Sequence, residues 1–320
     1  MTFKNHIRIL PVLFVCLFLL GGCALSDSLS HLTNLPTTAP ISTPEPSLTA
    51  TYTFEPKATH TITPTVTPTA TPTITPTPTK ITCLEDGGSV QKILVPSTAL
   101  PDGLPISIYL PPCYDPAGSY PVLYLLHGQV MTDDYWIDLG AVSIADAAIR
   151  NGQTPFMMVF PFEERNLDDN STSMFPDAMV NDLIPWVDEN FATCTEKICR
   201  AIGGISRGGG WAIKLSMRNL DLFGSMGAHS FGLMLGDAGW VQKQLVTRTV
   251  EDFPRIYMDR GDQDFLYEDI DYFVKVLQAN GIRPEFHIYP GDHTKSYWRD
   301  HLQEYMNFYM AAWPSDFNQP

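Results

Sequence analysis

Basic side chains are scarce in this chain of 320 residues, which carries 20 Lys and Arg against 35 Asp and Glu, a formal charge of −15. From Cys83 onward there are 16 basic and 32 acidic residues, a balance of −16. An acidic surface with no basic run repels phosphate backbones, which argues against nucleic acid as a main partner and against charge-driven docking on anionic lipid. An apolar run long enough to cross a bilayer is also missing at the N-terminus. Ile9–Leu20 supplies about 12 residues where roughly 20 are needed. No Cys-x-x-Cys occurs, and no His lies within five positions of Cys83, Cys113, Cys194 or Cys199, so neither a metal nor a cofactor is expected. No internal repeat is visible.

What is present begins with an address. Lys4 and Arg8 precede the short apolar run, and small residues lead to Cys23. Leu20-Gly21-Gly22-Cys23 resembles a bacterial lipobox, so 1–23 is expected to be a lipoprotein signal peptide with Cys23 as lipid anchor. The alternative is an ordinary signal peptide. Lipidation places the mature chain on the outer face of a bacterial membrane. Residues 24–82 read as a Thr/Pro-rich linker, since 11 of the 27 prolines precede Cys83. Proline fixes φ and removes amide donors, which blocks both helix and sheet. Fully extended, 31–80 reach up to roughly 150 Å. Residues 83–320 are long enough for one large domain with a sizeable core. In an exported chain the even cysteine number favours disulfides, Cys194 with Cys199 and Cys83 with Cys113.

Across that domain strand and helix signals alternate. Val90–Val95, Pro105–Leu110, Val122–Leu126, Phe156–Phe160, Arg200–Gly203, Phe223–Ala228, Ile256–Asp259 and Glu285–Tyr289 read as strands. Val142–Arg150, Met179–Phe191, Trp211–Arg218, Ile270–Ala279 and Trp298–Ala312 read as helices. The short, continuously apolar strands suit a sheet covered on both faces, so the expected class is α/β with a mostly parallel central sheet flanked by helices.

The chemistry starts at Gly204-Ile205-Ser206-Arg207-Gly208, a Gly-x-Ser-x-Gly between a buried strand and a helix. The glycines allow a tight turn that pushes the serine hydroxyl into the open. A phosphate-binding glycine loop is the alternative, but the Lys-Ser/Thr of a P-loop is missing. Serine is a poor nucleophile at neutral pH and needs a base steadied by an acid. Among the downstream histidines, His287 lies within a strand, His301 on a helix, and His229 precedes any plausible acid. His293 follows the last strand and is the expected base. Asp259, Asp262 and Asp264 compete as the acid, and Asp264, past the Gly261 turn, is preferred. The oxyanion needs preset donors, expected from the backbone N–H groups of Gln129 and Arg207. His127 reads as structural. Trp136 and Trp298 are substrate-binding candidates. Gly232–Leu245 reads as a specificity segment or as a cover for the core.

Tyr120-Pro-Val-Leu-Tyr-Leu-Leu-His-Gly128, the helix Asn181–Phe191, Gly204–Gly209, Gly261-x-x-Asp264 and Gly291-x-His293 with Trp298 together resemble the esterase D or putative esterase family of α/β-hydrolases. That group includes feruloyl and other carbohydrate esterases, siderophore esterases, S-formylglutathione hydrolases and mycolyltransferases. The resemblance covers about 90–312 and implies the α/β-hydrolase fold, with Ser206, Asp264 and His293 as nucleophile, acid and base. Arg207 departs from it, since many members have Met there. The expected activity is an extracytoplasmic serine carboxylester hydrolase working through an acyl-enzyme on feruloyl, acetyl or other carbohydrate-linked esters. An acyltransferase, or a silent fold that binds glycans or surfaces, is the alternative.

Overall fold

Eight strands in the described part of the chain form one sheet in the order β1-β2-β4-β3-β5-β6-β7-β8. They are β1 (Ser89–Val95), β2 (Leu104–Leu110), β3 (Val122–Leu126), β4 (Met157–Pro161), β5 (Arg200–Ile205), β6 (Ser225–His229), β7 (Arg255–Gly261) and β8 (Glu285–Tyr289). This computed structural model describes Glu85, residues 87–234 and residues 236–314. The expected signal peptide, Cys23, the linker, Cys83 and Leu235 lie outside the described residues.

β1 and β2 form an antiparallel hairpin and β2 runs antiparallel to β4, whereas β4, β3, β5, β6, β7 and β8 are mutually parallel. The four strands β3 to β6 are buried at every position, as continuous apolar runs require when helices cover both faces. The pleat sorts their side chains. Val122, Tyr124 and Leu126 join one core, while Leu123 and Leu125 join the other.

The helices are α1 (Tyr135–Leu139), α2 (Ala141–Arg150), α3 (Phe175–Ala178), α4 (Ile184–Asn190), α5 (Arg207–Arg218), α6 (Asp237–Gln244), α7 (Tyr267–Ala279), α8 (Lys295–Asp300) and α9 (Leu302–Met310). α3, α4, α5, α6 and α7 pack on the first core, and α1, α2, α8 and α9 on the second. A π turn, Met179–Leu183, joins α3 to α4. Pro185 stands two residues past its end and has no N–H to contribute to a regular ladder. The single helix expected over Trp298–Ala312 is instead two, hinged at His301. A disulfide joins Cys194 to Cys199 as the spacing anticipated. Cys113 is also disulfide-bonded.

Candidate active site

The parallel strands end on one side of the sheet, and the loops after β3, β4, β5, β7 and β8 carry the candidate residues. Ser206 follows β5 directly and is held at φ 55° and ψ −118°, a conformation side chains rarely adopt. Two glycines make the turn feasible. A Cβ on Gly204 would come 2.2 Å from the Gly208 carbonyl, and one on Gly208 would come 2.3 Å from the Leu126 carbonyl oxygen. The second contact presses the start of α5 onto the loop after β3.

His293 Nε2 lies 2.9 Å from Ser206 Oγ, and His293 Nδ1 lies 3.2 Å from each oxygen of Asp264. A carboxylate facing Nδ1 makes that nitrogen the donor, which leaves Nε2 to accept the serine proton. Burial raises the Asp264 carboxyl, but hydrogen bonds from His293 and from the Leu266 N–H outweigh it and hold the group below its ordinary range. Asp262, the competing acid, is used otherwise. Its Oδ1 accepts the Gly291 N–H at 3.0 Å, fixing the turn that delivers His293. The sequence-derived trio therefore meets in space, while Asp259 and Asp262 stay outside it.

The two expected oxyanion donors follow paired strands at matching positions. Leu126 pairs with Gly204, so Gln129 and Arg207 each lie three residues beyond the same rung. Arg207 is the first residue of α5, so its N–H has no intrahelical carbonyl to reach. The loop holding Gln129 is braced on both sides. His127 Nε2 accepts the Glu163 N–H at 3.0 Å, so its Nδ1–H donates to the Gly128 carbonyl at 2.7 Å. Burial lowers the His127 pKa, which favours this neutral ring. Asn166 Oδ1 accepts the N–H of Val130, a β-branched residue at φ 59°.

Glu163, which the sequence analysis passed over, organises the floor beside Ser206. Its carboxylate takes both Arg207 Nε (2.8 Å) and Nη2 (2.7 Å), plus the Trp211 indole N–H at 2.8 Å. Arg207, whose guanidinium also lies over Trp211, is thus clamped rather than projecting into the cleft. Its place at the end of a buried strand was the available signal for Glu163.

Both aromatic substrate candidates require correction. Trp136 has 0 % exposure and donates its indole N–H to the Leu126 carbonyl, so it is a core strut. Trp298 is 2 % exposed and sits edge-on to the His293 ring at 5.0 Å, backing the base rather than facing solvent. His229 does not line the cleft either. It is fully buried against Asp259, with Nδ1 2.7 Å from Oδ1 and Nε2 3.0 Å from Tyr309 Oη. This second His–Asp pair is fully buried, and no serine side chain hydrogen-bonds to it among the described residues. His287 contacts Glu285, and His301 stacks on Tyr289. In the segment Gly232–Leu245, Met234 and Val241 are buried in the first core, so its apolar face covers that core.

A family model described as putative esterase matches residues 97–309. The chain belongs to that family. An endo-1,4-beta-xylanase/feruloyl esterase of Xylanibacter ruminicola is 26% identical over a 231-residue alignment, which covers 68% of this chain and 31% of that protein. The chain spans less than a third of the curated relatives it matches, 31% and 28% of two of them. Among solved structures, a ferulic acid esterase superposes with a TM-score of 0.63 at 20% identity, over 71% of this chain and 99% of the other. An S-formylglutathione hydrolase of Staphylococcus aureus gives a TM-score of 0.57 at 18% identity, over 70% and 98%. These structures establish the α/β-hydrolase fold of this putative esterase family member.

Proposed function

We propose that the protein is a serine carboxylester hydrolase that cleaves carbohydrate-linked esters, feruloyl or acetyl, through an acyl-enzyme. The observation that carries this reading is the 2.9 Å approach of His293 Nε2 to a serine hydroxyl on a strained, glycine-flanked turn. Ser206 Oγ adds to the ester carbonyl carbon and its proton passes to His293 Nε2. Asp264, ionised by its hydrogen bonds, steadies the imidazolium. The Gln129 and Arg207 N–H groups are the proposed donors to the oxyanion. His293 then returns the proton to the departing alkoxide oxygen, and water repeats the sequence to release the acid. A curated relative named for feruloyl ester cleavage supports the substrate class.

Ser206→Ala is expected to lower p-nitrophenyl ester turnover by roughly 10⁴-fold or more while leaving the folded state intact. It should also abolish labelling by a fluorophosphonate. A folded wild-type chain that neither labels nor turns over any ester overturns the proposal.

The same proposal places the enzyme outside the cytoplasm, tethered through Cys23, on the support of Lys4, Arg8, the short apolar run and the small residues before the cysteine. Cys23→Ala should move the protein from the membrane fraction to the soluble fraction. An unchanged partition between the two removes the anchor.

A further inference from the structure

The His293 imidazole has two aromatic neighbours of opposite character. Trp298 is buried, whereas Phe265 stands with its ring centroid 4.6 Å from the imidazole and is 71 % exposed. Phe265 is among the large apolar side chains that the fold leaves exposed. The backbone around Phe265 is restrained, because the Leu266 N–H bonds the Asp264 carboxylate.

The position decides the use. A departing alkoxide must collect its proton from His293 Nε2, so the leaving group occupies the side of Ser206 nearest the imidazole. The exposed ring stands 4.6 Å from that imidazole, centroid to centroid. Asp262 and Asp292, both exposed, lie in the two loops that frame it. Their charge repels anionic groups, in a domain whose formal balance from Cys83 onward is −16. We infer that Phe265 is a stacking platform for a neutral sugar ring in the leaving group, and thus a specificity-determining residue for glycosyl esters over simple alkyl or anionic thiol esters. This rests on the esterase reading above.

The test compares two esters with one acyl group, methyl ferulate and a feruloylated neutral arabinoxylan oligosaccharide. In Phe265→Ala the ratio of kcat/KM for the sugar ester to that for the methyl ester should fall about tenfold, and Phe265→Trp should restore it. An unchanged ratio overturns the inference, since a residue that merely supports His293 affects both esters alike. A separate arm keeps it distinct from the esterase reading. In the Ser206→Ala background, calorimetric binding of the unesterified oligosaccharide should weaken about tenfold when Phe265 is also replaced by Ala. Equal binding, or no binding to Ser206→Ala at all, rejects the platform whatever the ester results. Loss of both ester activities in the wild type rejects only the esterase reading.

Discussion

Carboxylates buried in this protein differ in what neutralises them, and the differences set their roles. Asp264 faces an imidazole that still reaches the cleft, so its charge serves the base. Glu163 is neutralised by two nitrogens of Arg207 and organises the floor. Asp237, in the first turn of α6, is less well served. Its Oδ1 is 3.4 Å from Arg218 Nη2 and its Oδ2 is buried without a hydrogen-bond partner among the described residues. Burial pushes its carboxyl up to about 6, and the attraction of Lys214 and Arg218 offsets only part of that. A folded-state value above the unfolded one means that stability is fully present below about pH 4 and falls as pH rises through about 6. Asp237→Asn removes the titration while keeping the shape. It should therefore stabilise the fold by on the order of 2 kcal/mol at pH 8 and change little at pH 4. Urea midpoints at the two pH values check this, and an equal gain at both is evidence against a titrating Asp237.

At the scale of elements, what was legible in the sequence followed from burial on both faces. β3 and β8 carry the anticipated bounds, because five-residue apolar or alternating runs between turn residues have few other readings. Helix starts were less visible. α5 begins at Arg207 rather than Trp211, because three consecutive glycines hide a first turn that close packing demands. α3 escaped notice because it is short and leads into a π turn, whose period matches no simple stripe. The candidate trio was legible because each member follows a strand at the carboxyl edge of the sheet. The aromatic assignments were not, since sequence alone does not tell which face of α1 or α8 turns inward. Trp136 and Trp298 turned in, and Phe265 at the entry to α7 turned out.

Across the whole molecule, one buried carboxylate ties the sheet to its last two helices. Asp259 on β7 takes His229 of β6 on Oδ1, and the hydroxyls of Tyr297 and Tyr305 on Oδ2 at 2.7 and 2.8 Å. His229 in turn contacts Tyr309 of α9 and gives its backbone carbonyl to the Ser206 N–H at 2.9 Å. Tyr309 reaches the sheet only because β5 and β6 carry Gly203 and Gly227 beneath its hydroxyl. Burial and the Asp259 charge push the Tyr297 and Tyr305 hydroxyls far above the usual range, so both remain donors. Asp259 therefore answers three donors, and the replacement decides the cost. In Asp259→Asn the amide oxygen still serves both tyrosines, while the amide N–H is accommodated if His229 shifts its proton to Nε2 and donates to Tyr309. Asp259→Leu leaves all three donors buried and unmet, at about 1–3 kcal/mol each before relaxation. Chemical denaturation should accordingly show a loss of roughly 3–5 kcal/mol for the leucine variant and less than half of that for the asparagine variant. Equal losses in the two would mean that the negative charge of Asp259, rather than its capacity to accept, holds the helices to the sheet.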